Sequence, residues 1–338
     1  MSSWSTCKTP AGALPLAFCL CKGGNFMDIQ AYINEVWPKL HALAEPAFKE
    51  VRTAAFLADF LRKLGYDVTE NVGNTTALTA VLDSGKPGPT VAVRTDMDCL
   101  LFKNEDGSLA PIHACGHDAH AACLLGAAKI LSENRDAFRG KVRLVFQPGE
   151  EIGKGAKPFV AAGVLDGAER VFGLHTAYDL EAGTVGLKPG INNAAVDHFR
   201  IRVHGKSTHV STPHMGVDAL YIASQIVVAV QGLVTRRTSP TEPVIIGIGK
   251  LNAGTTYNAV AAFAEMEGTT RTISQESRDR VRSQVSETAQ NIAALYDGTA
   301  EIEWTDFAAA LVNDPQVCEE AAQVVDELAR RRTRCHRP

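Results

Sequence analysis

The run IHACGHDAHAACLLGAAKIL, residues 112–131, sets Cys115 and His117 two positions apart, with His113 and His120 flanking them, where an apolar helix begins. Thiolate and imidazole are good ligands for a borderline divalent cation. Three strand-like runs end on matching groups. TVAVRTDMD ends on Asp96 and Asp98, VRLVFQPGEE on Glu150 and Glu151, and ERVFGLHTA runs through His175. In the Glu pair, one carboxylate can bind a cation while its neighbour moves protons, the division of labour that metal-assisted hydrolysis needs. Each element alone has an ordinary explanation: a small buried Cys with a helix-capping His, a solvated acidic turn, a hydrogen-bonded core histidine. A metal-free cysteine hydrolase using Cys115 and His117 is a further alternative. Two residues that close at a helix start face different directions, however, which suits a nucleophile–base hydrogen bond poorly.

The elements that must position these groups alternate between strand and helix. The segment 27–68 carries Ile, Leu, Val and Phe at three-to-four spacing and reads as helices, with Gly65 as the stop. ALTAVLDSG, TVAVRTDMD, KVRLVFQ and ERVFGL read as strands, separated by the helix that opens at His117 and a short one around AKPFVAAGVL. This pattern predicts an α/β layered domain. In an open α/β sheet, ligands bind beyond the carboxyl ends of the strands, so side chains far apart in sequence are expected to converge there. The texture changes near Pro189. DHFRIRVHGKSTHV alternates polar and apolar residues, and a helix, two strands and a second helix follow, enough to close a separate small core. The expected organisation is a leader over 1–27, a first domain from 28 to 188, an insert from 189 to 299, a return to the first domain over 300–330 beginning with AEIEWTDFAA, and an irregular tail over 331–338.

Composition narrows the class. At 338 residues, 45% hydrophobic and 21% charged, the chain is long enough to bury two domain cores. A net charge of -4 gives no broad basic field, so no nucleic-acid partner is expected. The eight cysteines are scattered rather than dense, the usage of a reducing compartment, and point to a cytoplasmic protein. AGALPLAFCLC follows Lys8 and is apolar, but it is too short to span a bilayer and has no clear small-x-small cleavage site. No membrane association is expected. A disordered leader fits better, with Met27 as an alternative start.

At these residues the sequence resembles the dimetal amidohydrolase and carboxypeptidase family that includes hippurate hydrolases, N-acyl-amino-acid deacylases, auxin-conjugate hydrolases and aminobenzoyl-glutamate hydrolases. The resemblance spans roughly residues 28 to 325 and is carried by LHALAEPAFKEVRTA, GPTVAVRTDMD, IHACGHDAH, VFQPGEE, VFGLH, GKSTHVSTPHMGVDAL, NAGTTYNAV and GTTRT. It implies a dimetal-aminopeptidase-like catalytic domain, a mixed sheet flanked by helices, with an inserted α/β dimerisation lid. Cys115, His117, Glu151 and His175 would then be ligands of one or two divalent ions, Mn2+ or Zn2+, and Glu150 the base that takes a proton from water. His209, in GKSTH, would reach from one chain into the site of a partner copy and steady the oxyanion. Asn258 and Arg271 would hold the substrate's carboxylate or carbonyl, a task suited to the two parallel donors of an Arg fork. Asp96 and Asp98 would orient ligands; His41, His113 and His120 stay open, and His214 has no assigned step.

The implied reaction is hydrolysis of the amide bond of an N-acyl or N-aroyl amino acid by a homodimer paired through the lid. Where the family continues with further strands, a Gly-rich stretch and a final ligand histidine, this sequence ends in RRRTRCHRP. The expectation is a ligand set one histidine short, with an uncovered sheet edge. The alternative function is a catalytically impaired homologue that keeps only a dimerisation or interaction role.

Overall fold

The computed structural model describes residues 26–335, and the chain divides into two compact units: one runs to Leu187 and resumes at Glu319, the other is Lys188–Cys318. In the first unit, helices α1 (Phe26–His41) and α2 (Val51–Lys63) precede strands β1 (Asp67–Val72), β2 (Ala77–Asp83) and β3 (Thr90–Asp96). A short hairpin of β4 (Leu100–Lys103) and β5 (Leu109–Ile112) leads to helix α3 (His117–Glu133). Strand β6 (Lys141–Gln147), the six-residue helix α4 (Ala156–Ala161) and strand β7 (Ala168–Gly173) follow. On α2, Ala54, Leu57, Ala58 and Leu61 recur at helical spacing and are all buried, and Ala54, Leu57 and Leu61 join Leu40, Leu78, Leu125, Leu144 and Phe146 in one core. Gly65, at φ +81°, supplies the left-handed turn that ends the helix before β1.

The sheet order is β1-β2-β6-β3-β7. β1 pairs antiparallel with β2, and β2 with β6, whereas β3 runs parallel to both β6 and β7. The parallel trio fixes the site. Asp96 lies opposite Gln147 and Arg94 opposite Gly173, so the segments that follow β3, β6 and β7 all leave the same edge of the sheet.

The second unit is built on a four-stranded antiparallel sheet of order β10-β11-β9-β12. Its elements run β8 (Gly190–Asn193), β9 (Ala195–His204), α5 (Ala219–Gly232), β10 (Ile245–Ala253), β11 (Phe263–Thr272), α6 (Gln275–Leu295), β12 (Thr299–Ala308) and β13 (Leu311–Asn313). Along β9 alternate residues are buried, with Phe199, Ile201 and Val203 packed with Ile222 and Ile226 of α5 and Val281 and Val285 of α6. The segment Ala219–Arg237 is long and apolar enough to cross a bilayer by length and composition, yet Ile222, Ala223, Ile226 and Val230 are buried in this core. On the opposite sheet face Arg202 bridges Glu265 and Glu303 across the strands. Beneath α6, the Asp197 carboxylate is fully buried and takes Arg278 in a two-pronged pair, at 2.8 and 2.6 Å.

Three expected boundaries are corrected. AEIEWTDFA does not return to the first unit at 300. It forms β12, which pairs with β9 from Thr299↔His204 to Ala308↔Val196 and packs Ile302 and Trp304 against the second core, so that unit runs to Cys318. The irregular tail from 331 is, through Cys335, the last turn of helix α7 (Pro315–Cys335), in keeping with the helix propensity of its arginines. Phe26 and Met27 belong to α1 rather than to a leader. The expected disordered leader over residues 1–25, and His336 of the tail, lie outside the described residues.

Candidate metal centre

Helix α3 begins at His117 directly after Gly116, whose φ of +86° only glycine adopts without strain. A Cβ there would also lie 2.9 Å from Thr176 Oγ1, so the residue lets the Cys115 segment and the segment after β7 approach closely. The result gathers the predicted groups of the first unit. One ligand atom from each of Cys115, His117 and Glu151 lies within 4.8 Å of the others, and the same holds for Asp96, His117, His120 and His175. His117 Nε2 stands 3.8 Å from Glu151 Oε1 and 3.8 Å from Glu150 Oε2, while Cys115 Sγ lies 3.4 Å from His175 Nε2.

Hydrogen bonds select which ring nitrogens face this cluster. His117 Nδ1 lies 2.9 Å from the Asp98 carbonyl oxygen and His175 Nδ1 lies 2.7 Å from that of Thr176. A carbonyl only accepts, so each Nδ1 carries the proton and each Nε2 is left with a bare lone pair, the form that binds a metal. His117 Nε2 and Glu151 Oε1 are buried and have no hydrogen-bond partner among the described residues. Buried polar atoms are seldom left so, because an unmade bond costs roughly 1–3 kcal/mol. The donor set and these two orphaned atoms fit a divalent cation.

The electrostatics agree. Burial opposes charge on His117, but the hydrogen bond to Asp98 and the carboxylates of Asp96, Asp98 and Glu151 prevail and raise its pKa. Burial, then the charges of Glu151 and Glu150, push the Cys115 thiol up to about 11. Burial likewise raises Glu151, with Glu150 and Asp98 repelling its charge against the pull of His117. Acids that crowd one another and hold a thiol protonated lack compensating positive charge, and a bound cation reverses each of these effects.

The supports around the cluster were legible only in part. Asp98 Oδ2 accepts from Glu151 N at 3.1 Å, which fixes the acidic turn. Asp96 is buried; although burial opposes its charge, His120 and Arg94 hold its carboxyl well below the usual range. Both its oxygens are engaged, Oδ2 by Arg94 Nη1 at 2.7 Å and Oδ1 by His120 Nδ1 at 2.8 Å. Glu50, Phe48 and Thr176 were missed. Glu50 is fully buried and accepts from Gly149 N at 3.0 Å, and Phe48, at φ 60°, packs its ring under Gly149 one residue before the Glu pair. A bulky residue at positive φ is a sequence-silent strain that only the fold explains. His41 Nδ1 meets Asp118 Oδ2 at 2.7 Å, and His113 has both ring nitrogens buried with no hydrogen-bond partner among the described residues.

The remaining three predicted residues lie in the second unit. His209 is bridged to Ala259, and Val210 N donates to the Asn258 carbonyl at 3.1 Å, so His209 and Asn258 are neighbours. Arg271 sits at the opposite end of β11, its Nη1 donating to Thr269 Oγ1 at 2.6 Å and to the Thr270 carbonyl at 2.9 Å.

The chain is similar to known proteins over most of its length. A family model described as Peptidase family M20/M25/M40 matches residues 92–337. The chain is 37% identical over 311 residues to thermostable carboxypeptidase 1 of Saccharolobus solfataricus, covering 89% of this chain and 79% of that protein. It is 37% identical over 299 residues to N-acetyl-L-cysteine deacetylase of Bacillus subtilis, covering 87% and 72%. It aligns at TM-score 0.76 and 30% identity with a solved Bacillus subtilis protein described as a dinuclear metal binding peptidase from the M20 family, covering 90% and 81%. The chain therefore belongs to Peptidase family M20/M25/M40 and is a metal-dependent hydrolase that acts on C–N bonds.

Proposed function

We propose that this hydrolase cleaves the amide bond of an N-acyl amino acid, with Cys115, His117, Glu151 and His175 as ligands of one or two divalent ions, Mn2+ or Zn2+. The observation that carries the reading is the buried, unpartnered pair of His117 Nε2 and Glu151 Oε1, with Glu150 beside it. A bound ion supplies Lewis acidity, polarising the amide carbonyl and lowering the pKa of water. Glu150 is the more open of the two acids, its side chain 39% exposed against 15% for Glu151. That exposure supports its contact with substrate and solvent. Its carboxylate accepts a proton from water as the carbonyl is attacked, then hands that proton to the leaving nitrogen.

The substrate class follows from the deacetylase relative, whose name specifies an N-acetylated amino acid. Arg271 and Asn258 are assigned to the substrate's carboxylate and carbonyl, and His209 to the oxyanion of a partner copy's site in a homodimer joined through the second unit. The separation of Arg271 from His209 and Asn258 along β11 supports a division of these roles between two chains. The test is release of free amino acid from N-acetyl amino acids by protein loaded with Zn2+ or Mn2+. Hydrolysis lost to a chelator and regained on adding the ion supports the assignment. Cleavage of peptides at their C-terminus, with N-acetyl amino acids untouched, replaces it with a carboxypeptidase.

A further inference from the structure

We propose that His120 is a positioning residue for His175, tying the segment after β7 to the end of β3 and so setting the His175 ring for the ion; this rests on the reading of His175 as a ligand. Thr176 N donates to His120 Nε2 at 2.9 Å. Since Nε2 accepts that proton, the neutral ring carries its own hydrogen on Nδ1, which donates to Asp96 Oδ1 at 2.8 Å. Both nitrogens are thereby occupied, and His120 has no lone pair left for an ion, although it stands among the clustered side chains. Its tautomer is that of His117 and His175, but its Nε2 lone pair is taken by the Thr176 N–H, whereas theirs face the cluster.

The clamp converges on one residue. Thr176 is held at its N–H by His120, its hydroxyl donates to the Cys115 carbonyl at 3.1 Å, and its own carbonyl accepts from His175 Nδ1 at 2.7 Å. The rings of His120 and His175 pack with centroids 4.6 Å apart at 61°. At the other end Asp96 cannot drift, because Arg94 grips its second oxygen while also donating to Gln147 Oε1 of β6 at 3.0 and 2.8 Å. One imidazole on α3 thus connects the ends of all three parallel strands, and the segment it holds is the one that presents His175. Loss of a residue that orients a metal ligand typically lowers metal affinity about 10–100-fold.

Two substitutions separate the two bonds. The amide of Asn overlays Nδ1 of a histidine, and that of Gln overlays Nε2. His120→Gln keeps an acceptor for Thr176 N–H, whereas His120→Asn keeps only the bond to Asp96. Zn2+ affinity is measured by competition with a chromogenic chelator, with the ion alone as probe and no substrate. The expected result is a dissociation constant raised about 10–100-fold in His120→Asn and restored to within a few-fold of the parent in His120→Gln. Equal affinity of His120→Asn and the parent overturns the proposal. So does an equal loss in both variants with one ion fewer bound, which makes His120 a ligand. His175→Ala separates this from the underlying reading: parent-like affinity there refutes His175 as a ligand and takes the proposal with it. Melting in chelator checks the fold of each variant. Nitrogen-15 NMR of the parent tests the tautomer without any substitution: a proton on Nδ1 of His120 is expected, and a proton on Nε2 alone contradicts the tether.

Discussion

His117 Nε2 and Glu151 Oε1 face each other at 3.8 Å, both buried and neither hydrogen-bonded. Nothing among the described residues satisfies them, so an ion that does should bind the folded chain and not the unfolded one. Such binding stabilises by about 2.7 kcal/mol at an ion concentration one hundred times the dissociation constant. Chelator should lower the melting temperature and Zn2+ restore it, with the response abolished in His117→Ala. A melting temperature indifferent to chelator in the parent protein contradicts this.

Glu150→Gln keeps size and polarity but removes the proton acceptor. General-base catalysis contributes typically about 10²–10⁴-fold, so kcat should fall by that range while metal content and KM stay near those of the parent. Loss of metal together with activity would instead make Glu150 a ligand.

If His209 serves a partner's site, Glu150→Gln and His209→Ala chains, each inactive alone, should recover activity when mixed and allowed to exchange subunits. Each mixed dimer then holds one site with an intact Glu150 and an intact His209 from the other chain. Absence of recovery, with mixed dimers verified by mass, places His209 in its own chain's site.

Much of the site could be read from the sequence because one rule of topology covered it. Asp96 ends a strand, the Glu pair and His175 each follow one, and β3, β6 and β7 are parallel, so strand ends and chemistry coincide. The supports were less legible. Glu50 meets Gly149 across 99 positions and His120 meets Thr176 across 56, and neither residue type announces such a partner. AEIEWTDFA sets Ile302 and Trp304 two apart, the spacing of a strand. Alternation says nothing of which sheet a strand joins, and pairing with β9 decided that. The basic stretch after 330 read as tail because it is rich in charge and poor in apolar residues, whereas arginine is a good helix former and α7 continues into it as far as Cys335. Arg271 and His209 looked alike as lid residues, and only the direction of β11 separates them.

Glu45 anchors the start of α2. Its carboxylate accepts from the backbone N–H groups of Arg52 and Thr53 at 3.3 and 2.9 Å and from Arg52 Nε at 3.0 Å. Burial opposes its charge, but these bonds prevail and lower its pKa from the ordinary 4.5. A carboxyl with a lowered folded pKa stabilises fully above its unfolded value and loses that contribution as pH falls through the folded one. Glu45→Gln should therefore be less stable than the parent at pH 7, by about 1.5–3 kcal/mol for bonds to a charged group. The difference should shrink as the pH is lowered below 4.5. Melts of both proteins in chelator isolate the effect, and a gap that does not change with pH contradicts the assignment.

The most direct test is to locate the ion itself, by anomalous diffraction at the zinc edge from Zn2+-loaded crystals. The account predicts a peak about 2.3 Å from Cys115 Sγ and about 2.0–2.2 Å from His117 Nε2 and a Glu151 oxygen, with His175 on the same centre or on a second one beside it. Zinc bound elsewhere, with those side chains free of it, would contradict the account.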